Sequence, residues 1–127
     1  MNRAVNPPQI APPAAAYSHA VLTEHATRWL HTSGVVPVRP DGTVPTDLAE
    51  QAALAWSIIA TLLDETGMAV ADVVSVTTYV VAGHDLGVVM AARDRAMAGH
   101  RPASTLIVVP SLARPAWRVE IAIIAAQ

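Results

Sequence analysis

Residues 73–81 read Val-Val-Ser-Val-Thr-Thr-Tyr-Val-Val, with β-branched residues at both odd and even positions. Side chains of a strand alternate between its two faces. A strand of this composition needs cover on both sides rather than one. The last segment makes the same demand. From Trp117 to Ala125, Trp117, Val119, Ile121 and Ile123 fall on one face, and Arg118, Glu120, Ala122 and Ile124 on the other. Two helices supply the only helical cover the sequence offers, and both suit one face of a sheet. The other face needs a different partner.

The first helix is expected over 47–66. Thr46 reads as its N-cap, and Asp47 and Glu50 lie in the first turn, where the helix dipole favours anions. Leu48, Ala52, Ala55, Ile59 and Leu62 recur at alternating spacings of four and three, and Trp56 and Leu63 widen the same stripe. Gly67 sits where a C′ glycine ends a helix. The second helix is expected over 86–98, capped by Asp85 and stopped by Gly99, with Leu86, Val89, Met90, Ala96 and Met97 on its apolar side. Strands are expected over Tyr17–Glu24, Thr27–Thr32, Val73–Val81, Ser104–Val109 and Trp117–Ala125. Val35–Pro45, with three prolines and Asp41-Gly42, reads as a turn-rich loop. The order is ββαβαββ, an α+β layout. One domain is expected over 1–127, with residues 1–16 as an extended Pro/Ala-rich arm.

Composition agrees with the uncovered face. The 127 residues fit one domain of roughly 150. They are 53% hydrophobic and only 14% charged, with mean hydropathy +0.39. A small chain exposes much of its surface and normally carries more charge on it. A membrane span would need about 20 apolar residues in a row. The apolar stretches here are broken by Asp64, Glu65, Asp72, Ser75 and Thr77. Burial against further copies of the chain is the expectation. No apolar run follows Arg3, so no signal peptide is expected, and the chain has no cysteine. Together these point to a cytoplasmic location. Net charge is −2, with arginine but no lysine, which argues against nucleic acid as a partner held by bulk charge.

Glu120 is the most informative polar residue, because it stands mid-strand in Val-Glu-Ile-Ala-Ile-Ile-Ala. A carboxylate there loses hydration and needs a compensating cation, hydrogen bonds or a function. Two readings are open: a structural carboxylate paired with Arg118 on the same face, or a general acid/base in a cleft between subunits. Ser33-Gly34 closes a strand, where a glycine marks a bulge or a close backbone approach, and can offer a hydroxyl and an N–H to a ligand. Tyr17 follows the arm and is placed to stack on a ligand or to fill a strand start. The histidines, His19, His25, His31, His84 and His100, form no metal-ligand spacing, so no metal is expected. Arg93, Arg95 and Arg101 cluster around the end of the second helix, where cations meet the dipole favourably. No phosphate-binding glycine motif is present, and no cofactor is expected.

In this order and spacing the short motifs resemble the Rid family, also called YjgF or reactive-intermediate deaminases. They are Tyr17-Ser18 after a proline-bearing arm, Thr32-Ser33-Gly34 with Pro37, Asp41-Gly42 with Pro45, Glu50-Gln51, the helix closed by Gly67, Val73–Val81, Asp85-Leu86, Pro102-Ala103, Leu112, and the final segment with Glu120. The resemblance implies a chorismate-mutase-like fold with two helices on one face of a mixed sheet. It also implies a homotrimer whose sheets form a central barrel, with ligand clefts between subunits. It implies hydrolysis of a reactive imine or enamine, such as 2-aminoacrylate, to a keto acid and ammonia. Glu120 would position the attacking water, and Tyr17, Ser33 and Gly34 would line the pocket.

The chain departs from that pattern at three places. Ser104 follows Pro102-Ala103 where the family carries an arginine that grips the substrate carboxylate. Met90-Ala91-Ala92-Arg93 stands for an Asn-x-x-Tyr pattern, and Val35 for a glutamine. A serine cannot replace a planar fork of donors, so amino-acid-derived imines are expected to be poor substrates. Arg118, Arg101 and Arg93 are the candidate substitute cations, with Arg118 assigned beside Ser104 to the substrate-binding set. Two functions follow from the resemblance: a divergent imine or enamine hydrolase, and a non-catalytic trimeric protein that binds a small ligand in the same cleft. A third, ribonuclease action, is disfavoured by the charge.

Overall fold

The computed structural model describes all residues, 1–127. Its elements are β1 (Asn2–Val5), β2 (Ala20–Thr23), β3 (Trp29–His31), α1 (Leu48–Glu65), a short 3-10 turn (Val70–Asp72), β4 (Val73–Val81), α2 (Leu86–Met97), β5 (Ala103–Val109) and β6 (Val119–Ala126). Four strands form a mixed sheet in the order β3-β6-β4-β5. β4 and β5 run parallel, joined through α2, whereas β6 is antiparallel to both β3 and β4. The layout is α+β, as expected.

Both helices lie on one face of this sheet. Ala52, Ala55, Trp56, Ile59 and Leu63 of α1, with Val89, Ala92 and Met97 of α2, meet Val76 and Val80 of β4 and Val119, Ile121 and Ile123 of β6. Full burial of each large aliphatic side chain contributes about 1.5–3 kcal/mol. The opposite face carries Ser75, Thr77, Tyr79 and Val81 of β4, Glu120, Ala122 and Ile124 of β6, and Ile107 of β5. It has no helix, and its residues are half-buried or exposed, with Ile107 39% and Trp29 of β3 52% accessible. The two-sided apolar character of β4 therefore serves a core on one side and an open sheet face on the other.

Two expectations are corrected, and one pairing was not expected. Within the extended arm, residues 2–5 form a strand that pairs with β2, Asn2 opposite Thr23 and Val5 opposite Ala20. The Asn2 amide donates to the Ala126 carbonyl at 2.9 Å and its oxygen accepts from the Thr23 hydroxyl at 2.8 Å. Backbone pairing with a distant strand needs no hydrophobic period, so nothing local announced it. The strand expected from Tyr17 begins only at Ala20, because Ser18 instead bridges to Ala103. The α1 cap is Asp47 rather than Thr46: the Asp47 carboxylate accepts from the Glu50 N–H at 3.1 Å. The other stop signals stand where expected. Gly67 adopts φ +68°, and Asp85 accepts from the Gly87 N–H at 2.9 Å. In the 35–45 loop, the Thr43 hydroxyl and then its N–H hold the Asp41 carboxyl below its ordinary range, helped by Arg39. No helix is long and apolar enough to cross a membrane.

Candidate functional site

Pairing between β3 and β6 places His31 opposite Ile124, and beyond it Val35 bridges to Ile121. One extra residue has entered the first strand between these two pairs. Thr32 still donates to the Ile123 carbonyl at 3.1 Å and Val35 to that of Ile121 at 2.7 Å. Ser33 and Gly34 therefore form a β-bulge beside β6, a device that re-aims the backbone at a sheet edge. The glycine has a specific reason: Glu120 lies against it. A Cβ on Gly34 would fall 2.5 Å from Cδ and 2.9 Å from Cγ of Glu120.

Glu120 pairs with Tyr79 on β4 and projects from the face without helices. It is half-buried, and no cation lies within ion-pair distance; the chain's one ion pair is Arg93–Asp94. The structural reading of Glu120 predicted a pair with Arg118, and the structure does not show it. Arg118 instead donates from Nη1 to the Thr46 carbonyl at 2.6 Å, and its backbone N–H donates to Gln51 Oε1 at 3.0 Å. Its guanidinium is held at the start of α1, where the exposed carbonyl attracts it.

The remaining expected residues gather elsewhere. Ser104 pairs with Val76 and so faces the helices, the side opposite Glu120. Ser18 N–H donates to the Pro102 carbonyl at 3.0 Å and its hydroxyl to that of Arg101 at 2.6 Å. These bonds tie the neighbouring Tyr17 to the start of β5, which is an edge strand. One chain thus holds two groups apart: Ser33, Gly34 and Glu120 on the open face, and Ser104 on the helix face, with Tyr17 brought near the same end of β5 by the Ser18–Ala103 bridge.

Arg93 joins the second group. Of the three arginines expected to meet the α2 dipole, Arg95 alone lies in the last turn of the helix. Arg93 is buried on the inner side of the helix, and its Nη1 donates to Ser104 Oγ at 3.3 Å. The sequence signal for it was weak, since an arginine in a helix normally reads as a solvent-facing residue.

The largest hollow, about 440 Å³, lies between the β1–β2 hairpin and Gly99–Arg101. Four of its polar side chains are committed within the protein, Asn2 to Ala126, Asn6 to His19, Ser18 to the Arg101 carbonyl and His100 to Val73, whereas the Arg101 guanidinium on its wall makes no bond within the chain. A smaller one of about 190 Å³ opens on the helix-free face among His31, Thr32, Ser75, Thr77, Ala122, Ile123 and Ile124. No cluster of three His, Asp or Glu side chains able to hold a metal ion is present.

The sequence matches the family model of endoribonuclease L-PSP over residues 8–127. Among solved structures, YyfB from Yersinia pestis, a protein of unknown function of the conserved Rid family, is 30% identical with a TM-score of 0.89. That match covers 99% of this chain and 98% of YyfB. A candidate endoribonuclease from Thermotoga maritima is 26% identical with a TM-score of 0.73, covering 100% of this chain and 98% of its own. Yeast Mmf1 shares the fold at 23% identity, with a TM-score of 0.72 and coverage of 100% and 99%. No curated protein matches the chain. With its motifs in order from the arm to Glu120 and a family match over nearly the whole chain, the protein belongs to the endoribonuclease L-PSP family, the Rid or YjgF family.

Proposed function

We propose that the protein is a cytoplasmic, homotrimeric hydrolase of a small reactive imine or enamine, which it converts to a carbonyl compound and ammonia. The cleft would form where the Ser33–Gly34–Glu120 group of one subunit meets the Tyr17–Ser104 group of the next. The observation that carries this reading is Glu120: a half-buried carboxylate, unanswered by any cation, seated on a glycine bulge on the sheet face that no helix covers.

Glu120 would accept a hydrogen bond from water and take its proton as the oxygen adds to the imine carbon. The C=N electron pair moves to nitrogen, which is protonated. The proton Glu120 took from water is the one nitrogen receives, which gives the carbinolamine; the carbinolamine hydroxyl proton then passes through Glu120 to nitrogen as C=O forms, the C–N bond breaks, and ammonia leaves with Glu120 a carboxylate again. An enamine enters the same route after its carbon gains a proton and its nitrogen loses one.

Ammonia release from 2-aminoacrylate and from uncharged imines, compared between the wild type and Glu120→Ala, tests the role. Loss of at least tenfold in kcat/KM is expected; a variant as active as the wild type on every accepted substrate removes it. The second reading, a non-catalytic trimeric ligand-binding protein, draws on the departures at Val35, Met90 and Ser104. Turnover of any imine by the wild type removes that one.

A further inference from the structure

We infer that α1 and α2 hold a second small-molecule site, centred on Trp56, that takes an apolar ring compound carrying one hydrogen-bond acceptor, such as a ketone carbonyl. It lies on the helix side of the sheet, whereas Glu120 projects from the open side. It therefore stands whether or not the proposed cleft performs hydrolysis.

Trp56 belongs to the buried stripe of α1 and is 6% exposed. Its indole Nε1 is the one buried side-chain nitrogen or oxygen of the chain that finds no hydrogen-bond partner. A buried tryptophan normally directs its N–H at an acceptor, because a donor left unmet loses its hydration with nothing in return. Packing alone does not call for such a group. A phenylalanine would fill much of the same space with no donor to desolvate.

The space beside the ring suits a ligand. A hollow of about 220 Å³ lies between Trp56, Ile59 and Leu63 of α1, Val70 of the 3-10 turn, and Ala96 and Met97 of α2. A second, of about 250 Å³, adjoins it, sharing Trp56 and Ala96 and reaching Arg95. Water is a poor partner for Nε1 here, because a held water needs about two to four polar partners. Seven of the eight residues around the first hollow are hydrophobic, and the eighth, Ser57, donates its hydroxyl to the Leu54 carbonyl at 2.7 Å. One acceptor on an apolar body answers the indole, whereas a ligand with donors of its own would leave them unmet against these walls. Met97 in the same lining is flexible enough to give way as the acceptor reaches the indole edge. A dry hollow of about 150 Å³ is enough for benzene, so the larger space here admits a six-membered ring with a small carbonyl substituent.

Titration of the protein with acetophenone and with isopropenylbenzene, followed by NMR, tests this. The two probes share one shape, and a methylene group replaces the carbonyl oxygen in the second. The chain has three tryptophans, and the indole N–H signal of Trp56 is the one missing from Trp56→Phe. Acetophenone is expected to move that signal downfield in the wild type and to bind Trp56→Phe at least fivefold more weakly. Isopropenylbenzene should lose no more than twofold in the same variant. Ala96→Leu, which builds a side chain into the hollow, should weaken acetophenone binding at least tenfold, and it serves if Trp56→Phe does not fold. Three results overturn the inference: a Trp56 signal unmoved at the solubility limit of acetophenone, an equal loss of both probes in Trp56→Phe, or acetophenone binding by Ala96→Leu within twofold of the wild type.

Discussion

Gly34 and Glu120 touch with no room for a side chain between them. Two residues far apart in the chain are thus fitted to one another by a single extra residue in the strand that passes β6. The bulge supplies the close approach, and the approach fixes where the carboxylate lies on the open sheet face.

Replacing Gly34 by alanine is expected to move Glu120 rather than unfold the chain, because the obstructing atoms end a flexible side chain. Stability should change by no more than about 1 kcal/mol. Turnover of any accepted imine should fall on the order of 100-fold, the usual consequence of displacing a reacting group by about 1 Å. Thermal unfolding and steady-state kinetics on the same preparation check both halves. Wild-type activity in a folded Gly34→Ala protein would contradict the placement.

Gln51 is a structural residue of a different kind. Only 1% exposed, it donates to the Pro45 carbonyl at 2.8 Å and the Ala116 carbonyl at 2.9 Å, and accepts from the Arg118 N–H at 3.0 Å. One amide therefore joins α1 to the strand entry that presents Glu120. Gln51→Leu would leave three backbone groups unpaired and should cost about 3 kcal/mol or more. Urea denaturation, with a lowered midpoint at unchanged slope, is the measurement.

The open sheet face should be an interface between copies of the chain. Ile107 is 39% exposed in one chain, so Ile107→Glu should barely affect the fold of that chain. Against a second copy it would bury an unpaired charge and break the association. Sedimentation of the wild type should give a trimer, and the variant a folded monomer. A wild type that sediments as a stable monomer would contradict both the open face and the proposed cleft.

RNA binding should be weak at physiological salt. The net charge is −2 and no lysine is present, so few phosphates can be neutralised and few counterions released. A steep loss of RNA affinity between low and moderate salt would count against this expectation and favour the activity in the family's name.

Local periodicity was enough to read the helices, the long strands and the face to which Glu120 belongs. Apolar residues three and four apart define a helix face wherever the helix lies, and alternation assigns each residue of β6 to a side before its neighbours are known. Cap and stop signals are local too, which is why Asp85 and Gly67 were legible and the α1 cap missed by a single residue.

The contacts of polar side-chain tips were not legible. β1 depends on a partner strand across a long connection. Arg118 meets a helix-start carbonyl instead of the carboxylate two residues away. Arg93 turns from an expected surface position into the protein to reach Ser104, and Glu120 rests on Gly34. Each of these is settled by strand register and by the reach of a flexible side chain. Sequence pattern determines which face of an element is apolar; only the tertiary structure decides which polar atoms come within hydrogen-bond distance, because that depends on how distant segments slide against one another.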